Sequence, residues 1–203
     1  MAKVKSNIAR IGLRAKTGRA IAVVLSGPVD SPKVINRVEL SVIDPAVPAT
    51  FQPYHEVMEL PWARAEVAVQ KFALKIEKQA TKALARLVRE VEAEGFEVRG
   101  VGIVGAGNRN LEKIGSTHIR AHAAEGVLFR RVLEVAAASN KLTSESFDEK
   151  VFDSTAESRL GLSIEKIRVR LSEMGRAAGS PWRAEEKAAA TAAWLVLTAR
   201  KEK

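Results

Sequence analysis

Ile8-Ala-Arg-Ile-Gly-Leu-Arg-Ala-Lys-Thr-Gly-Arg-Ala-Ile-Ala-Val-Val-Leu-Ser26 reads as two apolar runs hinged on Lys16-Thr17-Gly18. That is the pattern of a β-hairpin. Gly27-Pro28-Val-Asp-Ser-Pro32 supplies dense turn chemistry, and residues 34–43 alternate apolar and polar as a third strand. Three antiparallel strands therefore open the chain.

Outward from this meander the period changes. Residues 44–61 hold Pro45, Pro48, Pro53 and Pro61, which predicts an irregular but ordered excursion with Tyr54-His55 in its middle. Over residues 62–94, Val69, Phe72, Ile76, Ala80, Ala83, Leu87 and Val91 recur at steps of three and four, the apolar stripe of one long helix, with Gly95 as its C-terminal cap. Residues 96–105 read as a buried central strand. A second helix runs to about residue 139, and residues 147–151 make a weak fifth strand. Short helices are expected at 154–160 and 163–174, a Gly/Pro loop at 175–181, and an alanine-rich last helix at 184–201. The order βββαβαβα implies an α/β fold with a mixed five-stranded sheet and helices on both faces.

The chain has 203 residues, 46% of them hydrophobic, enough for one domain with a real core. With no cysteine, disulfides and thiolate chemistry are excluded. The N-terminus is not followed by a signal-type apolar region, and the longest apolar stretch is too short for a bilayer. A soluble, cytoplasmic protein that does not enter a membrane is expected. The formal charge of +9 favours nucleic acid or another polyanion as partner. The basic residues look dispersed, with loose clusters at Arg10, Arg14, Lys16 and Arg19 and at Arg120, Arg130 and Arg131. Aromatics are only 5%, so stacking on exposed bases is not supported.

Ile11-Gly-Leu-Arg-Ala-Lys-Thr-Gly18, followed by Ala20-Ile-Ala-Val-Val24, resembles the opening strand and turn of the ribonuclease-H-like superfamily, in particular resolvases of the RuvC type. Glu185-Glu186-Lys187-Ala-Ala-Ala-Thr-Ala-Ala-Trp194 resembles the family's closing helix. Gln52-Pro-Tyr-His55, residues 119–130 and Gly179-Ser-Pro-Trp182 are also similar to segments of a bacterial family of unassigned activity. The resemblance implies a ribonuclease-H-like fold over most of the chain. It also implies carboxylates for two metal ions, which activate water and stabilise the leaving oxygen. The chain departs from that pattern. The aspartate position of the opening strand is Arg14, no acid follows Glu97 in the fourth strand, and only Glu185 or Glu186 stands at the closing position. Two-metal nuclease activity is not expected, and no cofactor is implied.

His118, His122 and Glu125 fall at i, i+4 and i+7 on the second helix, a face that continues through Leu128, Val132 and Val135 toward the core. Three readings stay open: a transition-metal site, an acid–base pair with an orienting carboxylate, or a buried polar network. Arg14 is expected to pair with Glu125 or Glu186, or to bind phosphate. Lys16, Thr17 and Arg19 read as a phosphate contact or a solvated turn. Tyr54 and His55 read as pocket groups or loop packing, and Trp182 as a staple at the last helix, with Lys187 paired to a glutamate. The Arg14 strand end, the His/Glu helix and Glu185/Glu186 are expected to converge on one pocket. The function classes that follow are a non-catalytic nucleic-acid-binding or regulatory protein, an enzyme with a rebuilt His/Glu pocket, and a self-assembling scaffold.

Overall fold

A computed structural model describes residues 7–198. The elements run β1 (Asn7–Lys16), β2 (Arg19–Ser26), β3 (Lys33–Ser41), a 3-10 turn at Pro48–Thr50, α1 (Trp62–Ala93), β4 (Phe96–Gly105), α2 (Thr117–Ser139), β5 (Ser144–Asp148), α3 (Phe152–Leu160), α4 (Ile164–Ala178) and α5 (Ala184–Leu197). The sheet order is β3-β2-β1-β4-β5. β1, β2 and β3 pair antiparallel, whereas β1–β4 and β4–β5 are parallel. Antiparallel neighbours need only tight turns, while parallel ones need crossovers, which α1 and α2 provide. Gly18 closes the first hairpin at φ 73°, and the ring of Phe51 lies where its Cβ would be.

The alternation of β1 sorts the two layers. Ile11 and Leu13 face Ile76, Leu84 and Leu87 of α1 and Phe129 and Leu133 of α2. The opposite face carries α5, with Val23, Leu25 and Val104 packed on Trp194, Leu195 and Ile167. Gly12 and Gly102 are register partners on β1 and β4. A Cβ on Gly12 would overlap the carbonyl oxygen of Ala189, and one on Gly102 that of Ala192. The backbone of α5 thus lies directly on the two central strands. This contact explains why its buried face is alanine: Ala189, Ala190, Ala192 and Ala193 are all fully buried.

Several expectations shift. On α1 the buried stripe runs through Ala65 and Leu84, whereas Phe72 and Ala83 are only half-buried. β5 is Ser144–Asp148 rather than 147–151. It is a polar edge strand with a single buried residue, Phe147, and Glu145 is paired to Arg159 at 2.7 Å, so its alternation carried little hydrophobic signal. Val135 of α2 is exposed, and the first turn of that helix is open to solvent at Thr117, His118 and Ile119, so the expected core-facing stripe fails at both ends. The expected tail of the last helix beyond residue 198 lies outside the described residues. Trp182 does pin α5 to its neighbour: its indole donates to the Leu171 carbonyl at 2.8 Å and fills the space over Gly175. Lys187, expected to pair with a glutamate, makes no ion pair among the described residues.

Candidate functional site

The parallel strands β1, β4 and β5 end at the same sheet edge, where open α/β sheets form their ligand crevice. Here that edge holds a cavity of about 150 Å³ lined by Arg14, Lys16, Thr17, Ala106, Gly126 and Glu149. Arg14 Nη2 donates to Glu149 Oε2 at 2.6 Å. The expected partners, Glu125 and Glu186, are engaged elsewhere. Glu185 lies 3.4 Å from Lys16 Nζ and 3.2 Å from Arg19 Nη1, and Arg19 also reaches Glu39 at 2.8 Å. Glu186 turns back to its own helix end, where it accepts from the Arg183 backbone N–H at 2.8 Å. Beside the cavity, nearly buried Arg130 donates to the Ala106 carbonyl at 2.7 Å and Asn108 Oδ1 at 2.6 Å, and it also pairs with Glu134.

All of the chain's histidines meet at a second place. His118 and His122, one turn apart at the exposed start of α2, bring their Nε2 atoms within 3.1 Å. His55, from the proline-braced excursion, sets its ring edge-on to both, at 5.2 Å and 4.4 Å between centroids. One ring nitrogen from each of the three lies within 4.8 Å of the others. Glu125 is fully buried and accepts from His55 Nδ1 at 2.8 Å and from its backbone N–H at 3.4 Å. The carboxylate therefore stands behind His55, not beside the two helical histidines. Among the described residues, His55 Nε2 and Glu125 Oε2 are buried without a hydrogen-bond partner. Next to His55, Tyr54 stacks on Trp62 with centroids 5.6 Å apart, and Arg120 sits 5.5 Å above that indole. Burial, then the nearby Glu66 carboxylate, pushes the Tyr54 phenol above its ordinary pKa.

A third feature is a surface. On α1, Lys71, Lys75, Lys78, Lys82, Arg86 and Arg89 step at three and four residues, and every one is exposed. They occupy the face opposite Val69, Ile76, Ala80, Leu84 and Leu87, and they span about 27 Å of helix. Two have acidic neighbours: Lys75 lies 3.9 Å from Asp44, and Arg86 pairs with Glu90 at 2.8 Å.

No protein-family model matches the chain, and no curated protein matches it in sequence. Solved structures do match in fold. RuvC of Thermus thermophilus in complex with a Holliday-junction substrate superposes with a TM-score of 0.51 at 10% identity, over 95% of this chain and 94% of that one. A second structure of Thermus thermophilus RuvC gives 0.49 at 10% identity, over 94% of this chain and 93% of that one. The fold is ribonuclease-H-like. At this identity the likeness is one of architecture, and the side chains of this chain speak for themselves.

Within the ribonuclease-H-like frame, the expected single pocket divides. Arg14, Lys16 and Thr17 line the strand-end cavity with Glu149, a residue that the sequence did not single out. Arg19 and Glu185 stand beside them, whereas Glu186 serves the helix cap. His118, His122 and Glu125 gather around His55 instead. The α1 stripe was missed altogether, although the periodicity that marks its apolar face marks the basic one as well. None of the helices among the described residues is long and apolar enough to cross a membrane.

Proposed function

We propose that this is a cytoplasmic nucleic-acid-binding protein of ribonuclease-H-like fold that works without two-metal nuclease chemistry. The basic face of α1 carries the reading. Six exposed cations in one stripe, on a rigid helix backed by the sheet, suit a sugar–phosphate backbone, which is contacted by charge rather than by sequence. The length of about 27 Å allows contact with several phosphates at once. The net charge of +9 adds long-range attraction. The strand-end cavity supports the non-catalytic part. Arg14 and Lys16 line it with positive charge, Arg19 stands beside it, and the nearby carboxylates of Glu149 and Glu185 are committed to those cations. A Mg²⁺ ion needs free oxygen ligands there and would meet guanidinium instead. The Thermus thermophilus RuvC structure with a Holliday-junction substrate makes a four-way junction the first ligand to try.

Fluorescence anisotropy with a labelled junction, duplex and single strand tests the proposal. Binding to all three is expected at low salt, with an affinity that falls steeply as salt rises. Lys78→Glu/Lys82→Glu should weaken it at least about tenfold and flatten the log–log salt slope by about 2. An absence of binding to any of the three at low salt would refute the proposal, as would binding that ignores the double reversal.

A further inference from the structure

We infer that His55, His118 and His122 form a binding site for a divalent transition-metal ion of the zinc class, with Glu125 as the outer carboxylate that orients His55. The inference rests on the geometry of the three rings and is independent of the nucleic-acid reading. Tetrahedral zinc–imidazole bonds of 2.0–2.1 Å place neighbouring ligand nitrogens about 3.3 Å apart. The His118 and His122 Nε2 atoms already stand at 3.1 Å, and the third ligand nitrogen lies within 4.8 Å of both. A side-chain adjustment of about 1–1.5 Å at His55 therefore completes the set.

The chemistry of each group fits the same ion. The Nδ1 of His55 is taken by Glu125, so Nε2 is the nitrogen left for a ligand, and it is buried with no hydrogen-bond partner among the described residues. A hydrogen bond between His118 and His122 satisfies those two rings but offers His55 nothing. One cation accepts lone pairs from all three. A ligating histidine that gives its other N–H to a carboxylate is the usual outer arrangement of such centres, where the carboxylate fixes ring orientation and raises ligand basicity. Glu125 is fully buried, and its second oxygen has no hydrogen-bond partner among the described residues. Imidazole donors favour zinc, nickel, copper or cobalt over magnesium and calcium. With no cysteine in the chain and two of the three histidines exposed, the fourth coordination position faces solvent. The site is thus open rather than sealed. It would also tie the 44–61 excursion to α2, two segments otherwise far apart in sequence.

Untagged full-length protein, stripped with chelator and desalted, is titrated with ZnCl₂ by calorimetry and, in parallel, with CoCl₂ by visible absorption. One zinc per chain is expected with a Kd of about 1 µM or tighter, together with a cobalt d–d band typical of low coordination number. MgCl₂ gives neither binding nor a rise in melting temperature. His118→Ala changes an exposed residue and leaves the core intact, yet it should weaken zinc at least about 100-fold. Glu125→Gln keeps all three ligands and should retain the cobalt band while zinc weakens about 10- to 100-fold. Failure to bind zinc stoichiometrically below about 100 µM overturns the site, as does an affinity unchanged in a His118→Ala/His122→Ala protein. An unchanged affinity in Glu125→Gln removes the carboxylate from the assignment.

Discussion

The guanidinium of Arg14 lies 2.6 Å from the carboxylate of Glu149, so the C-terminal end of β1 and the residue just after β5 are joined by charge across the end of β4. The arginine is the more buried member, with 18% of its side chain exposed against 37% for the glutamate. Loss of Glu149 therefore costs more than an ordinary surface pair, because it leaves a partly desolvated cation. Glu149→Gln should destabilise the fold by about 1–1.5 kcal/mol. The check is a urea titration, in which the midpoint falls and the m-value stays constant. An unmoved midpoint would mean that Arg14 finds equal compensation in water.

The same pair bears on whether a nuclease site can be restored by one substitution. Arg14→Asp puts a carboxylate at the position where the ribonuclease-H-like resemblance calls for one. Glu185, however, remains held by Lys16 and Arg19. Two-metal chemistry needs several free carboxylates around the ions. Arg14→Asp with Mg²⁺ or Mn²⁺ should accordingly cleave neither junction nor duplex above the rate of the parent protein, as read on a denaturing gel. Cleavage that depends on added metal would show that the surviving acids suffice.

Gly12 is required by α5. The Ala189 carbonyl oxygen occupies the place of its Cβ, and that oxygen belongs to helix backbone, which cannot rotate away as a side chain would. Gly12→Ala must push α5 off the sheet and should cost about 3 kcal/mol or more. Gly115→Ala is the internal control, since nothing lies within 4 Å of its added Cβ. It should change stability by less than about 0.5 kcal/mol. Thermal or urea melts of the two proteins give the comparison. Similar stabilities would show that α5 sits further from β1 than the geometry requires.

How far the sequence foretold this molecule depends on the range over which each feature is encoded. The first hairpin is local: two apolar runs flanking Lys16-Thr17-Gly18 specify it, and β1 pairs with β2 as expected. The long helix follows from its apolar steps. β5 was misplaced because its residues are mostly polar and its stability comes from pairing with β4, which no local pattern expresses. The alanines of the last helix were visible, but their reason, the close approach to Gly12 and Gly102, is tertiary. The sites follow the same division. His118 and His122 share one helix and were found together. The partner of Glu125 stands 70 positions away at His55, and that of Arg14 stands 135 positions away at Glu149. The basic stripe of α1 was legible in principle. Its cations are interleaved with apolar and acidic residues over 71–89 and come into line only when the helical phase is applied to charges as well as to apolar residues.

Arg130 offers a final test of how the loop between β4 and α2 is held. Its side chain is only 9% exposed, and its guanidinium reaches the Ala106 carbonyl, Asn108 Oδ1 and Glu134, while Glu134 also accepts from Ser146 on β5. One planar fork thus serves backbone, amide and carboxylate together. Arg130→Ala leaves Glu134 and the Ala106 carbonyl short of a donor and should cost about 2–4 kcal/mol. Arg130→Lys keeps the charge but not the fork, because a single ammonium cannot reach three acceptors set in one plane. It should recover less than about half of that loss. Hydrogen exchange separates a local effect from a global one: amides over residues 106–110 should speed up in Arg130→Lys while those of β1 and α5 hold their protection. Equal acceleration throughout would assign Arg130 to the stability of the whole sheet and not to the placement of this loop beside the strand-end cavity.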